Sequence, residues 1–146
     1  MRGIKAYRRA AAVSSDPMDL VVALYDGFLR YCYTAKRGIG EGSPAQAGPA
    51  LSKAMEIVNE LHISLDPNQD EAFTERLSSI YVYVNQQLLQ ANLHRDVARI
   101  DEVIRLMTEL REAWAEAAIK LRSGEASAEP GGEAAAEPVE AVASAG

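Results

Sequence analysis

Apolar residues recur at helical spacing in four segments of the chain, and the first segment carries two apolar rows instead of one. It extends from Asp16 to Gly40. One row, which steps by four and three residues, consists of Val21, Tyr25, Phe28, Cys32, Ala35 and Ile39. A second row beside it consists of Leu20, Leu24, Gly27 and Tyr31. Because one row is enough to face the core of a helix bundle, the second row predicts an additional contact surface.

The ends of this helix and one glycine inside it carry further information. Asp16 can cap the helix and Pro17 suits its first position, whereas Gly38 and Gly40 are typical of a helix end. Gly27 lies in mid-helix, where glycine costs about 1 kcal/mol relative to alanine. Its missing Cβ allows another backbone to approach closely. Two hypotheses stay open: a neighbouring helix packs tightly here, or a bound partner does.

The second helix is predicted from the next apolar row. Pro49 would remove a hydrogen bond from the interior of a helix that began near Ser43. We therefore expect a short turn at 44–47, followed by a regular helix from Pro49 to about Leu65. Its core row consists of Leu51, Ala54, Val58, Leu61 and Leu65.

The third and fourth helices are predicted from Asp70 to Leu93 and from Asp96 to Arg122. The core row of the third consists of Leu77, Tyr81, Val84, Leu88 and Ala91, and a separate stripe consists of Val82, Leu89 and Leu93. The core row of the fourth consists of Ile100, Val103, Met107, Leu110, Trp114, Ala117 and Leu121. Four amphipathic helices joined by short connections predict an all-α fold, an antiparallel up-down four-helix bundle.

The two ends of the chain differ from the bundle in composition. Residues 1–15 form an arm whose bulky apolar residues are Ile4, Tyr7 and Val13, and we expect them to cover the second row of the first helix. Residues 123–146 consist mainly of Ala, Glu, Pro and Gly, and offer too little apolar surface to offset about 1–2 kcal/mol of ordering entropy per residue. This tail is predicted to be disordered. The expected domain of the bundle is residues 16–122.

Charge and composition exclude several classes of function. The net charge is −6, but the body up to Arg122 has 16 acidic and 15 basic groups, and five glutamates follow it. A nearly neutral body argues against a nucleic-acid partner. There is no secretory signal, no apolar run long enough to span a bilayer, and one cysteine, Cys32. These features predict a cytoplasmic protein without membrane insertion.

Catalytic and metal-binding patterns are missing from the sequence. The two histidines, His62 and His94, lack the Glu-x-x-His spacing of bundle metal sites. There is no glycine-rich phosphate loop, no Cys-x-x-Cys pair, and no nucleophile with an evident base. We therefore predict no enzymatic activity, no catalytic residues, no metal and no cofactor.

The order of the motifs resembles that of the FliS family of flagellar secretion chaperones. The similar elements are Ala6-Tyr7, Val13, Pro17 and the segment LVVALYDG at 20–27, followed by Ala35-Lys36, IVNEL, SLD, YVY, LLQAN and EVIRLMTELREAW. Together they cover about Ala6 to Ala117. The sequence departs from the family pattern at Asp16, at Pro49, at Gln86-Gln87, where many members have two arginines, and in the acidic tail.

The resemblance implies a function for the two surplus apolar surfaces. Family members bind the disordered C-terminal segment of flagellin in the cytoplasm, which displaces the arm, and then dock on the cytoplasmic domain of the flagellar export gate. On this basis the client groove is expected to include Leu20, Leu24, Gly27, Tyr31, Val82, Leu89 and Leu93. The arm residues Ile4, Tyr7 and Val13 are expected to act as lid and export-gate contact.

Two alternatives stay open at this point. One is a helical bundle that dimerises through its second apolar row, and a homodimer is also compatible with a chaperone that carries no client. The other is a non-enzymatic adaptor for a different secreted client.

Overall fold

A computed structural model describes residues 17–66, 68 and 70–124 of the chain. The cap Asp16 and the predicted arm with Ile4, Tyr7 and Val13 lie outside the described residues, as does the predicted tail from residue 125 onwards.

The described residues form four helices, α1 (Pro17–Gly40), α2 (Pro44–Ile63), α3 (Glu71–His94) and α4 (Val97–Arg122). The side chains of Ser43, Asp70 and Asp96 cap the last three, since each accepts a hydrogen bond from a backbone N–H of the following turn. None of the helices in the described part of the chain combines the length and the apolar character that a membrane crossing requires.

The start of α2 differs from the prediction, because the helix begins at Pro44 and continues through Pro49 without a separate turn. Ser43 Oγ accepts a hydrogen bond from the Gln46 backbone N–H at 3.3 Å, which satisfies one of the free donors of the first turn. Gly48 explains why Pro49 is tolerated: the α conformation before a proline is disfavoured partly by the Cβ of the preceding residue, and glycine has none.

The predicted end of α2 is also shifted. The helix ends at Ile63, and Leu65 lies just beyond it, half-buried against the core. Ala47, Ala50 and Leu51 are buried in the first half of α2, so packing compensates for the hydrogen bond that Pro49 cannot donate.

In cross-section the four helices lie at the corners of a square, in the order in which they occur in the sequence. Each helix packs against two neighbours. α1 contacts α2 and α4, α3 contacts the same two helices, and the described parts of α1 and α3 lie diagonally opposite each other. Ion pairs show that α1 and α4 are antiparallel: Lys36 near the end of α1 bonds Asp101 near the start of α4, whereas Asp19 bonds Arg122. The predicted antiparallel up-down four-helix bundle is confirmed.

The predicted core rows are mostly buried. In α1 the buried members are Tyr25, Phe28, Cys32 and Ala35, whereas Val21 and Ile39 are half-buried. All five residues of the α3 row are buried, as is Trp114. Its indole and the Phe73 ring are arranged edge to face, with 6.3 Å between the ring centroids. The last member of the α4 row, Leu121, is 38% exposed, because it lies in the final turn beyond the packed part of the bundle.

One buried hydrogen bond crosses the centre of the bundle between the diagonal helices. The hydroxyl groups of Tyr25 in α1 and Tyr81 in α3 lie 2.7 Å apart. Both side chains are almost fully buried, and no charged side chain is buried among the described residues. Each hydroxyl is therefore satisfied by the other in a largely apolar core.

A glycine in the last turns of α1 allows a close approach to α2. A Cβ built on Gly38 would lie 2.8 Å from the backbone nitrogen of Ala47 and 3.2 Å from its Cα. Real Cβ atoms do not approach backbone so closely, so only glycine fits there without moving a helix.

We predict that Gly38→Ala destabilises the fold by about 1–3 kcal/mol, because the added methyl group forces α1 and α2 apart. Gly40→Ala is the matched control, since a Cβ there meets nothing within 4 Å and its φ is not positive. The control should be neutral or slightly stabilising. Urea denaturation of both variants measures the difference, and equal stability of the two would contradict the close approach.

We predict that the two tyrosine hydroxyls are energetically coupled. Tyr81→Phe or Tyr25→Phe leaves one buried hydroxyl without its partner and should cost about 1–3 kcal/mol. The double variant removes both hydroxyls, so its loss should be smaller than the sum of the single losses by about 1 kcal/mol. A double-mutant cycle from chemical denaturation measures this coupling, and strictly additive losses would show that the pair contributes nothing.

Candidate functional site

The structure places the four predicted groove residues of α1 partly or wholly inside the bundle. Leu24 is 2% exposed and belongs to the core, and Gly27 is buried as well. Leu20 and Tyr31 are half-buried and pack against the edge of the core. In the described structure this row is therefore a packed surface with two partly accessible members.

Helix spacing shows what covers one end of this row. Leu24, Tyr31 and Gly38 follow each other at intervals of seven residues and so lie on the same face of α1. At Gly38 that face meets the backbone of Ala47 in α2. The glycine that packs closely against a neighbouring helix here is Gly38, which the sequence analysis interpreted as part of a helix end. Both hypotheses for Gly27 stay predictions.

The three predicted groove residues of α3 have a different environment. Val82, Leu89 and Leu93 are 48%, 47% and 64% exposed, although all three are aliphatic. They share one face of the helix with Gln86 in the middle, opposite to the core row that contains Tyr81. We call Val82, Gln86, Leu89 and Leu93 the α3 stripe.

The seven predicted groove residues do not form one continuous surface. α1 and α3 are the diagonal pair of the bundle, so the α1 row and the outward face of α3 lie on different sides. The apolar spacing within each helix predicted the α1 row and the α3 stripe separately, but it could not show whether these two surfaces adjoin. The α3 stripe is the part of the predicted site that is open to a partner in the described structure.

An apolar hollow of about 170 Å³ opens at the end of the bundle where α1 begins and α2 ends. Its lining includes Pro17, Met18 and Val21 from α1, together with Leu61 and Trp114. Pro17, the first described residue of the chain, lies in the lining of this hollow. The sequence analysis missed it, since it is assembled from the ends of several helices and no single row contains it.

The polar groups of the bundle form structural contacts. Asp26 accepts two hydrogen bonds from the Arg111 guanidinium, at 2.8 and 3.3 Å, which joins α1 to α4. The Tyr83 hydroxyl donates to Glu102, and Asn85 donates to Asn59 at 2.9 Å. These bonds connect neighbouring helices and leave the α3 stripe outside the network.

Reactive groups are not assembled into a site in the described part of the chain. Burial raises the pKa of the Cys32 thiol well above its ordinary value, so the thiolate nucleophile does not form at neutral pH. His62 lies against the Tyr81 ring at 6.0 Å, and His94 contacts Gln90 one turn earlier. The described residues contain no cluster of three or more His, Cys, Asp or Glu side chains suited to a metal ion.

Comparison with known proteins identifies relatives over most of the chain. The family model described as flagellar protein FliS matches residues 1–121. The flagellar secretion chaperone FliS of Escherichia coli K12 is 35% identical over 120 residues, which is 79% of this chain and 88% of that protein.

Two further relatives carry the same name. The flagellar secretion chaperone FliS of Salmonella typhimurium LT2 is 37% identical over 117 residues, covering 77% of this chain and 87% of its own length. That of Bacillus subtilis 168 is 29% identical over 112 residues, covering 77% and 83%. The match spans the four helices and ends where the acidic tail begins, and on this basis the chain belongs to the FliS family of flagellar secretion chaperones.

Proposed function

We propose that this protein is a flagellar export chaperone of the bacterial cytoplasm that binds the disordered C-terminal segment of flagellin. In this proposal it prevents premature polymerisation of flagellin and delivers it to the cytoplasmic domain of the export gate. Family membership and the names of the relatives, flagellar secretion chaperones, support the role in secretion. The observation that carries the binding site is the α3 stripe, with three exposed aliphatic side chains on the outer face of a stable helix.

The chemistry of the α3 stripe fits an amphipathic helical segment. Aliphatic residues at i, i+7 and i+11 form a narrow apolar line, which complements the apolar line of a helix with heptad spacing. A flagellin segment that is disordered alone would gain structure as it buries this line. Folding on binding costs about 2–5 kcal/mol of the interaction energy, so the complex stays weak enough for release at the gate.

The α1 row and the arm form the second part of the proposal. Leu20 and Tyr31 are partly accessible on α1, and Pro17, which follows the arm in the sequence, lines the apolar hollow. We propose that Ile4, Tyr7 and Val13 cover this side of the bundle without client. When the client displaces them, they become available to the export gate. The arm then competes with the client, whose apparent affinity falls by the covered fraction.

We predict that Leu89→Asp weakens binding of a flagellin C-terminal peptide at least tenfold, because it places a charge in the middle of the α3 stripe. A tenfold loss corresponds to about 1.4 kcal/mol, less than the burial energy of one leucine side chain. Isothermal titration calorimetry measures the affinity. Tyr33→Asp is the matched control, since Tyr33 is 53% exposed on the opposite side of α1 from Leu24 and Tyr31.

The control should bind like the unmodified chain. Equal binding by Leu89→Asp and the unmodified chain, with circular dichroism showing an intact bundle for both, would remove the α3 stripe from the site. No measurable binding by any of the three chains would instead favour an adaptor for another client.

We predict that deletion of residues 1–12 leaves the bundle folded and the affinity for the flagellin peptide equal or higher. Delivery to the export gate should fall, because the apolar arm residues Ile4 and Tyr7 are removed. Calorimetry and a pull-down with the cytoplasmic domain of the gate measure the two effects separately. A deletion that abolished peptide binding while helicity was retained would make the arm a client contact and not a lid.

A further inference from the structure

We propose that the acidic tail, residues 123–146, binds the basic arm, residues 1–15, of the same chain through ion pairs. The arm contains four basic residues and no Asp or Glu, whereas the tail contains five glutamates and no Lys or Arg. Each segment therefore carries charge of a single sign, and the two signs are opposite. The basic residues are Arg2, Lys5, Arg8 and Arg9, and the glutamates are Glu125, Glu129, Glu133, Glu137 and Glu140.

The bundle places the attachment points of the two segments side by side. α1, which follows the arm, and α4, which precedes the tail, are antiparallel neighbours. The Arg122 guanidinium donates to the Asp19 carboxylate at 2.9 Å, so the start of α1 and the end of α4 are in direct contact. A flexible segment of nine to twelve residues spans about 15–20 Å. Lys5 and Glu133 are therefore within reach of each other, at an effective concentration on the order of 1 mM.

The body between the two segments offers the tail no positive surface that compares with the arm. Residues 16–122 carry 16 acidic and 11 basic groups, so the body has the same sign of charge as the tail and repels it. The two cations of α4 that directly precede the tail are already paired, Lys120 with Glu116 and Arg122 with Asp19. Of the three parts of the chain, the arm alone has a net positive charge.

The arm has a second acidic surface within reach, but the charge of the tail is denser. Asp66, Asp70 and Glu71 are exposed around the connection between α2 and α3, and Asp66 lines the apolar hollow beside Pro17. Two of these carboxylates already accept hydrogen bonds from backbone N–H groups, Asp66 from Asn68 and Asp70 from the first turn of α3. The tail brings five carboxylates within 16 residues and no cation between them. Ion pairing of the arm with the tail is therefore favoured over pairing with this connection.

The contact has a consequence for the arm, and this consequence rests on the proposed function. Ile4 and Tyr7 alternate with the basic residues of the arm, so a tail that pairs with those charges also lies close to the two apolar side chains. The tail then competes with the export gate for the arm. Because the family model matches only as far as residue 121, the tail adds this competition to a bundle shared with the relatives.

The first test is carbodiimide cross-linking of carboxylates to lysines in the full chain at low salt. Lys5 is the one lysine of the arm. Lys36 is the internal control, since it lies near the far end of α1 and pairs with Asp101 at 2.7 Å. Mass spectrometry of the monomeric product should find tail glutamates joined to Lys5 at least tenfold more often than to Lys36. Salt at about 0.5 M should reduce the Lys5 cross-links several-fold, because it screens the attraction.

Two outcomes of this experiment would overturn the proposal. One is a tail that is joined to Lys5 no more often than to Lys36. The other is a Lys5 joined mainly to the carboxylates of the α2–α3 connection, which would place the arm on the body and not on the tail.

The second test measures the contact without a cross-link. Ser144→Cys provides a site for a spin label in the tail, whereas the native Cys32 is buried and is not labelled. We expect the label to broaden the amide NMR signals of residues 2–9, and the broadening should fall at least twofold when all five tail glutamates are replaced by glutamine. Replacement of the five by aspartate keeps the charge and should keep the broadening. Equal broadening in the glutamine and aspartate chains would overturn the ion pairing.

A third measurement addresses the export gate, and it alone depends on the proposed function. The glutamine chain should bind the cytoplasmic domain of the gate at least threefold more tightly than the unmodified chain, and the aspartate chain should bind like the unmodified one. Equal affinities of the glutamine and unmodified chains would overturn the competition but not the contact between arm and tail. No binding of the gate domain by any of the three chains would overturn the proposed delivery and the competition with it, whereas the first two tests would still decide the contact.

Discussion

The hydrogen bond between the hydroxyl groups of Tyr25 and Tyr81 links the two diagonal helices of the bundle through its core. It joins α1 to α3, the two helices that have no backbone contact in the described structure. Burial raises the pKa of Tyr25 to about 12 and raises the pKa of Tyr81 as well. Both groups therefore stay protonated at neutral pH, so that one donates and the other accepts. An axial shift of one helix against the other would leave a buried hydroxyl group without its partner, which is costly. The hydrogen bond therefore favours one axial position of α1 relative to α3.

The sides of the square are held in different ways. Along α1 and α4, ion pairs connect Asp19 to Arg122, Asp26 to Arg111 and Lys36 to Asp101. Partly exposed pairs contribute about 0.2–1 kcal/mol each, so their main effect is on the register of the two helices. α3 is joined to its neighbours by Tyr83, Asn85 and Gln87, whose side chains bond Glu102, Asn59 and Arg99. These bonds use the flanks of α3 and the core uses its inner face, so that Val82, Leu89 and Leu93 on the outer face stay exposed among the described residues.

Single-helix patterns predicted the number of helices, most of their ends and 19 of the 29 buried apolar residues of the described core. The 3.6-residue period is a property of one helix, and it identified Tyr25, Tyr81 and Trp114 as buried without further information. It also identified Val82, Leu89 and Leu93 as surplus apolar residues. The predicted break before Pro49 was wrong. A proline inside a helix clashes partly with the Cβ of the preceding residue, and Gly48 has no Cβ.

Properties that depend on two or more helices could not be predicted in the same way. Whether the α1 row and the α3 stripe adjoin each other depends on which helices are neighbours. The spacing of apolar residues within one helix contains no information about its neighbours. The role of Gly38 depends on the position of Ala47 in the next helix, and the end hollow depends on several helix ends. The resemblance to the FliS family gave the fold and the class of protein correctly, and the comparisons confirm that membership.

An exposed aliphatic stripe on an almost neutral bundle creates a conflict between binding and solubility. In the proposed function the stripe must be accessible to a client, yet exposed apolar surface on a body with a net charge of −1 favours association. The five glutamates after Arg122 bring the net charge of the whole chain to −6, and a net charge away from zero favours solubility. These charges are placed in the sequence after the four helices, so that the segment of α3 from Leu77 to Leu93 stays uncharged and its apolar face is available for the proposed client.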